Sequence, residues 1–184
     1  MRKLIKYTLL CSLSFFTLLS CIEDQDFNQF DDIFVNPLLE ASIFYVETPE
    51  SLVDASVAGG NVVGQNFNFD AFSSKVFADR VIDGTITYIV ENTTNNELSV
   101  TIELLDVDGN VLDTTVVPVF PAPMEMQQID VFYGDSDRSI DIIKNTSGIR
   151  VEATNLSDDT SATNGSDPKI ILKSSGKFRV EVIV

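Results

Sequence analysis

"TITYIVENTTNNELSVTIELLDVDGNVLDTTVVPV", residues 85–119, decides the fold class. Ile86, Tyr88 and Val90 share one face of the first run, and Leu98, Val100, Ile102 and Leu104 share one face of the second. An apolar residue at every second position marks a strand buried on one side, because successive strand side chains point to opposite faces. Ser99, Thr101 and Glu103 then face water. "NTTNNE" (92–97) is a polar turn, and Asp108-Gly109 is a favoured hairpin turn into "VLDTTVVPV" (111–119). Three antiparallel strands in a meander are predicted.

Working outward, "ASIFYVE" (41–47) reads as the first strand and "AGGNVVGQN" (58–66) as a glycine-rich loop. The loop lacks the lysine and hydroxyl of a phosphate-binding P-loop. "FNFDAF" (67–72) and "KVFADRV" (75–81) are expected as further short strands. Pro118, Pro121 and Pro123 interrupt "VPVFPAPM" (117–124), which places a sheet edge or a crossing between sheets there, since proline cannot donate to a central ladder. "QQIDVFY" (127–133) resumes a strand with Ile129, Val131 and Tyr133 together. "SDRSIDIIKNTSG" (136–148) is the one helical candidate, capped by Ser136 or Asp137 and stopped by Gly148. "IRVEATN" (149–155) alternates again, "LSDDTSATNGSDP" (156–168) is a polar loop, and "KIILKSSGKFRVEVIV" (169–184) reads as a terminal hairpin with Phe178, Val180 and Val182 inward. Short strands with regular turn signals predict an all-β domain over residues 38–184, an immunoglobulin/fibronectin-like β-sandwich with one short helix.

The first twenty residues have a different character: a basic start "MRKLIK", the apolar run "YTLLCSLSFFTLL", then Ser20. That is the plan of a secretory signal peptide (1–20), and the run is too short and too promptly followed by acids to span a bilayer. Its end, "LLSC", resembles the lipobox of bacterial lipoproteins: Leu18, Leu19, the small Ser20, then Cys21. The resemblance implies that the Cys21 thiol receives diacylglycerol, that the chain is cut before it, and that the new amine is acylated as well. Each buried methylene contributes about 0.8 kcal/mol, so two or three chains make the attachment durable. Cys11 would leave with the signal, so the mature domain is expected to rely on its core, not on disulfides.

After Cys21 comes "IEDQDFNQFDD", with Glu23, Asp24 and Asp26 close behind the cysteine and no basic residue. This resembles the acidic export signal of Bacteroidota-type surface lipoproteins, which implies an outer-membrane anchor with the domain facing the cell exterior. Residues 21–37 read as a lipidated acidic tether reaching about 50 Å at full extension. Phe27, Phe30, Ile33 and Phe34 recur in it near helical spacing.

Composition excludes several chemistries. The net charge is −16, and −19 without the first twenty residues, so phosphate-bearing partners such as nucleic acid are repelled. The chain has no His and no Trp, which rules out serine–histidine and cysteine–histidine catalysis and removes the commonest nitrogen metal ligand. With 28 acids, carboxylate pairs arise by chance, and no general-acid environment is legible, so no enzymatic activity and no cofactor are expected. "DVDGN" (106–110) begins like a calcium loop, but its glycine comes too early and Val117 stands where the bidentate Glu belongs, so a plain hairpin turn is predicted. Asp135, Asp137 and Asp141 in one loop, and Asp158, Asp159 and Asp167 in another, are candidates for weak Ca²⁺ binding beside the reading of solvated acidic loops. "DTT" at Asp113 matches a short O-glycosylation signal of Bacteroidota-type exported proteins, while Asn92, Asn145, Asn155 and Asn164 head Asn-x-Ser/Thr triplets.

These observations predict a non-enzymatic outer-membrane lipoprotein, exposed at the cell surface and acting as a binding or structural subunit beside another envelope protein such as an outer-membrane barrel in transport or assembly. The alternative is an adhesin or glycan-binding module that uses the loops at one end of the sandwich. Without Trp, a sugar-stacking ring would have to come from Tyr or Phe.

Overall fold

The computed structural model describes residues 36–56, 61–122, 126–134, 138–157, 163 and 165–182, all within the compact unit Val35–Val184. Cys21, Glu23, Asp24, Asp26 and the tether aromatics lie outside the described residues, as do Asp135, Asp137, Asp158 and Asp159.

Eight strands form two four-stranded sheets: β1 (Leu38–Pro49), β2 (Asn61–Asn68), β3 (Val81–Asn92), β4 (Leu98–Leu105), β5 (Val111–Val119), β6 (Gln127–Tyr133), β7 (Gly148–Asn155) and β8 (Lys169–Val180). The orders are β1-β8-β3-β6 and β2-β7-β4-β5, with every pairing antiparallel. The expected β-sandwich is present. Its connections make it a jelly roll of two Greek keys, a refinement of the immunoglobulin/fibronectin-like likeness, whose strands follow another order. Consecutive strands here mostly alternate between sheets, so the expected three-strand meander is not formed: β4 pairs with β5, but β3 lies in the other sheet, a choice on which short-range periodicity carries no information.

The core forms from the alternation read above. Ile86, Tyr88 and Val90 on β3 meet Leu98, Val100, Ile102 and Leu104 on β4, joined by Val117, Tyr133 and Ile149, all buried. The Asp108-Gly109 hairpin is built as expected: Gly109 has φ of +83°, and Asp106 accepts from the backbone N–H of Asp108 (2.9 Å) and Asn110 (2.8 Å). Those bonds, with the Asn110 side-chain amide first among them, hold the Asp106 carboxyl below its usual range. Its oxygens hold the turn together. β5 and β6 are edge strands of opposite sheets, so Pro118 sits in an edge strand, opposite Ser99, and the chain changes sheets after Val119.

Among the described residues there are four short helices where one was expected: α1 (Glu50–Ala55), α2 (Asp70–Ser73), α3 (Lys75–Ala78) and α4 (Ile140–Asn145). "FNFDAF" and "KVFADRV" are mostly not strand: only Phe67 and Asn68, ending β2, and Val81, opening β3, are extended in a sheet. Ser73 and Ser74 hydroxyls donate back to the carbonyls of Asp70 and Ala71, turning the chain there. That turn brings Phe72 and Phe77 edge-on to Phe178, with centroids 5.0 and 5.4 Å apart. Nor is "AGGNVVGQN" a loop throughout, since β2 begins at Asn61 and pairs with β7. α4 is capped by Ser139, which accepts from the Asp141 N–H (3.1 Å), in place of Ser136 or Asp137. Thr146 follows its last turn and Gly148 opens β7.

"KIILKSSGKFRVEVIV" is not a hairpin. β8 runs through Ser174, Ser175 and Gly176 without a turn, between β1 and β3, and Val182 lies beyond the strand and 39% exposed. The small residues serve packing instead. Ser174 sits between Phe44 on β1 and Tyr88 on β3, whose ring centroids are 6.3 Å apart although two strand spacings would separate them by about 9.6 Å. The rings converge over the small side chain. Its hydroxyl is buried without a hydrogen-bond partner among the described residues, so Ser174→Ala is expected to raise stability by about 0.5–1 kcal/mol through removal of that desolvation cost. A higher denaturant midpoint with an unchanged m-value would show it; a lower midpoint would contradict it.

Candidate functional site

The two ends and two faces of the sandwich differ in what they leave open. At one end Asn92, buried at the finish of β3, donates through Nδ2 to the carbonyls of Asn96 and Phe120 (both 2.8 Å) and accepts at Oδ1 from the Thr94 N–H and hydroxyl (both 2.8 Å). The buried Glu50 accepts from the Thr163 N–H (3.2 Å), and Asn96 donates to Asp54 (3.1 Å). These loops are committed to each other. Asn92 is thus a structural hub, not an exposed acceptor for modification.

Between the sheet edges lies a second polar cluster. Tyr133 on β6 donates to Asp113 on β5 (2.7 Å), Arg138 forms an ion pair with the same carboxylate and donates to Thr115 (2.9 Å), and the guanidinium stands 6.0 Å from the Tyr133 ring centroid. It ties the edge of one sheet to the edge of the other. Asp113 and the buried Thr115 of "DTT" are engaged in it, leaving Thr114 exposed. Burial pushes the Tyr133 and Tyr88 hydroxyls far above the ordinary value of 10. Both raised groups stabilise the fold fully below about pH 10, and that contribution is lost as pH rises further, because the unfolded chain then ionises. Spectrophotometric titration should show Tyr88 and Tyr133 ionising only together with unfolding; their titration with the exposed Tyr45 in a folded protein would contradict it.

The outer face of the β1-β8-β3-β6 sheet is the candidate binding surface. The register aligns Tyr45, Lys173, Ile89 and Gln128 in one transverse row and Ser42, Ser175, Thr87 and Asp130 in the next. Long side chains flank short ones. The result is a trough crossing all four strands, about 14 Å at the usual strand spacing, with a cavity of about 420 Å³ over its β1, β8 and β3 part. A bulge between Ser42 and Phe44 brings Tyr45 into this row. The Tyr45 ring is 54% exposed, and its hydroxyl donates to Glu47 (2.6 Å), which also receives Lys169 (3.0 Å). Those two bonds, Tyr45 first, hold the Glu47 carboxyl below its usual range. Lys173 is paired with Glu91 at 2.6 Å, while Asp130 accepts from Thr87 (2.6 Å) and from Gln128 (3.0 Å).

A separate apolar cleft of about 160 Å³ opens between β1 (Leu39, Ala41, Ile43) and the Phe69, Phe72 and Phe77 rings. The remaining calcium candidates are not brought together: Asp141 lies in the first turn of α4, 3.9 Å from Lys144, and Asp167 pairs with Lys169 at 2.8 Å. Among the described residues no three metal-ligating side chains cluster, and no helix is long and apolar enough to cross a membrane.

No protein-family model matches this sequence, and no curated protein does. Solved structures similar to it include the VP2 subviral particle of infectious bursal disease virus (13% identity, TM-score 0.36, covering 80% of this chain and 32% of that one). A Desmodium yellow mottle tymovirus structure is similar at 7% identity and TM-score 0.33, over 82% of this chain and 91% of the other. A Bacillus endospore appendage that forms disulfide-linked pili is similar at 9% and 0.35, over 79% and 90%. The chain thus spans about a third of the length of the virus VP2 it matches. The jelly-roll assignment rests on this chain's own strand order.

Proposed function

We propose that this protein is a lipid-anchored outer-membrane lipoprotein, facing the cell exterior, whose β-sandwich works without catalysis as a binding or structural subunit of an envelope complex, such as one built around a barrel. The observation that carries the reading is "LLSC" ending a basic-then-apolar leader, followed by Glu23, Asp24 and Asp26. Anchoring concentrates the domain in two dimensions beside envelope partners. Labelled palmitate should enter the wild type and not Cys21→Ala, and added protease should reach the protein on intact cells. Equal labelling of both would overturn the anchor, and full protection would overturn the outward orientation. Mild-detergent purification should bring down a stoichiometric envelope partner.

A second reading, a glycan-binding module, is favoured by one observation: the exposed, hydrogen-bonded ring of Tyr45 beside a row of short hydroxylated side chains. In this reading the ligand would lie on a sheet face, not on the loops at one end.

A further inference from the structure

We propose that the trough along Ser42, Ser175, Thr87 and Asp130 binds a neutral glycan lying across the strands, with a sugar face against the Tyr45 ring. The inference rests on the binding-module reading above and gives it a ligand class and a place.

Four observations converge on that chemistry. The cavity of about 420 Å³ is in the range of small-molecule sites, about 300–1,000 Å³, and is open along the trough. A sugar hydroxyl both donates and accepts, and so does this floor. Ser42 and Ser175 hydroxyls have no partner among the described residues, Thr87 accepts while it donates to Asp130, and the Asp130 carboxylate accepts only. The Tyr45 ring supplies a flat apolar surface held in place from its hydroxyl end by Glu47, so little rotamer freedom is lost on binding. The charges present disfavour an anion: Lys173, the cation lining the cavity, is paired with Glu91, and the Asp130 carboxylate at the end of the floor is bonded to the neutral donors Thr87 and Gln128. In a chain of net charge −16, those charges disfavour an anionic ligand, and the uncharged hydroxyls of Ser42, Ser175 and Thr87 on the floor suit a neutral polyhydroxyl one.

The experiment titrates the full chain, purified in mild detergent, with maltohexaose, cellohexaose and xylohexaose by calorimetry. At least one should bind. Tyr45→Ala should weaken it at least about tenfold, through lost ring contact and area. Thr87→Val should weaken it severalfold, and Tyr45→Phe, which keeps the ring but loses its bond to Glu47, should weaken it less than Tyr45→Ala, each with unchanged melting temperature. No binding of any of the three at millimolar concentration overturns the proposal, as does binding that Tyr45→Ala and Thr87→Val leave intact. If instead Tyr45→Ala releases a co-purifying protein and no glycan binds, the face is a protein interface and the glycan assignment falls. Cys21→Ala carried in parallel separates the questions, since loss of the anchor leaves glycan binding in solution unchanged.

Discussion

Gly84→Ala is expected to destabilise the fold by about 3 kcal/mol, at the upper end of overpacking costs. Gly84 lies on the inner face of β3, opposite Phe178 on β8 and Tyr133 on β6. A Cβ there would overlap Phe178 Cδ1 and lie 2.7 Å from the Lys177 carbonyl oxygen. The ring has no room to retreat. Phe72 and Phe77 stand edge-on to it, and the space above Gly176 is already filled by it, since a Cβ on Gly176 would lie 2.5 Å from its Cε2. The melting temperature should fall by roughly 6–12 °C for a domain of this size. Phe178→Leu in the same chain should recover part of the loss by freeing the ring's space, but not the part due to the Lys177 backbone. A Gly84→Ala protein melting within 2 °C (about half a kcal/mol) of wild type would contradict this account of the core.

The second large effect concerns the bridge between sheet edges. Asp113→Ala removes the acceptor of the buried Tyr133 hydroxyl and the partner of Arg138 at once. Removing one member of a buried pair commonly costs 3–5 kcal/mol, but the Arg138 side chain is 31% exposed and regains some water, so about 2–3 kcal/mol is expected. Asp113→Asn keeps an acceptor for Tyr133 and loses only the charge, so it should cost about 1 kcal/mol. A double-mutant cycle with Arg138→Met should show coupling, because the two side chains share one site. Equal stability of Asp113→Ala and wild type in denaturant titration would remove the bridge from the argument.

The sequence was most legible where one strand's own alternation decided its burial. Ile86, Tyr88 and Val90, then Leu98 to Leu104, are buried as their period required, and Asp108-Gly109 makes the hairpin its chemistry requires. It was least legible where a residue's role depends on a partner distant in sequence. Ser174-Ser175-Gly176 has turn composition, yet it continues a strand because Phe44, Tyr88 and Phe178 use the space that small side chains leave. "FNFDAF" has strand composition, yet after Asn68 it closes as a helical turn, with Phe69 and Phe72 joining an aromatic cluster with Phe77 and Phe178.

The candidate site was illegible for the same reason. Ser42, Thr87, Asp130 and Ser175 lie on four strands, each an ordinary polar residue on a solvent face, and only the register places them in one row. The bulge between Ser42 and Phe44 brings Tyr45 level with Lys173; without it the ring would turn to the other face.

What the sequence determined alone is what neighbours along the chain decide: strands with one dry face, the Asp108-Gly109 turn, the exclusion of histidine chemistry, and the likeness of "LLSC" and its acidic sequel to a lipoprotein leader. Only the tertiary structure decided the jelly-roll order, the packing of Phe178 over Gly84 and Gly176, and the trough beside Tyr45. Periodicity reports the environment of a side chain, dry or wet, while strand order and register depend on which distant strand supplies that environment.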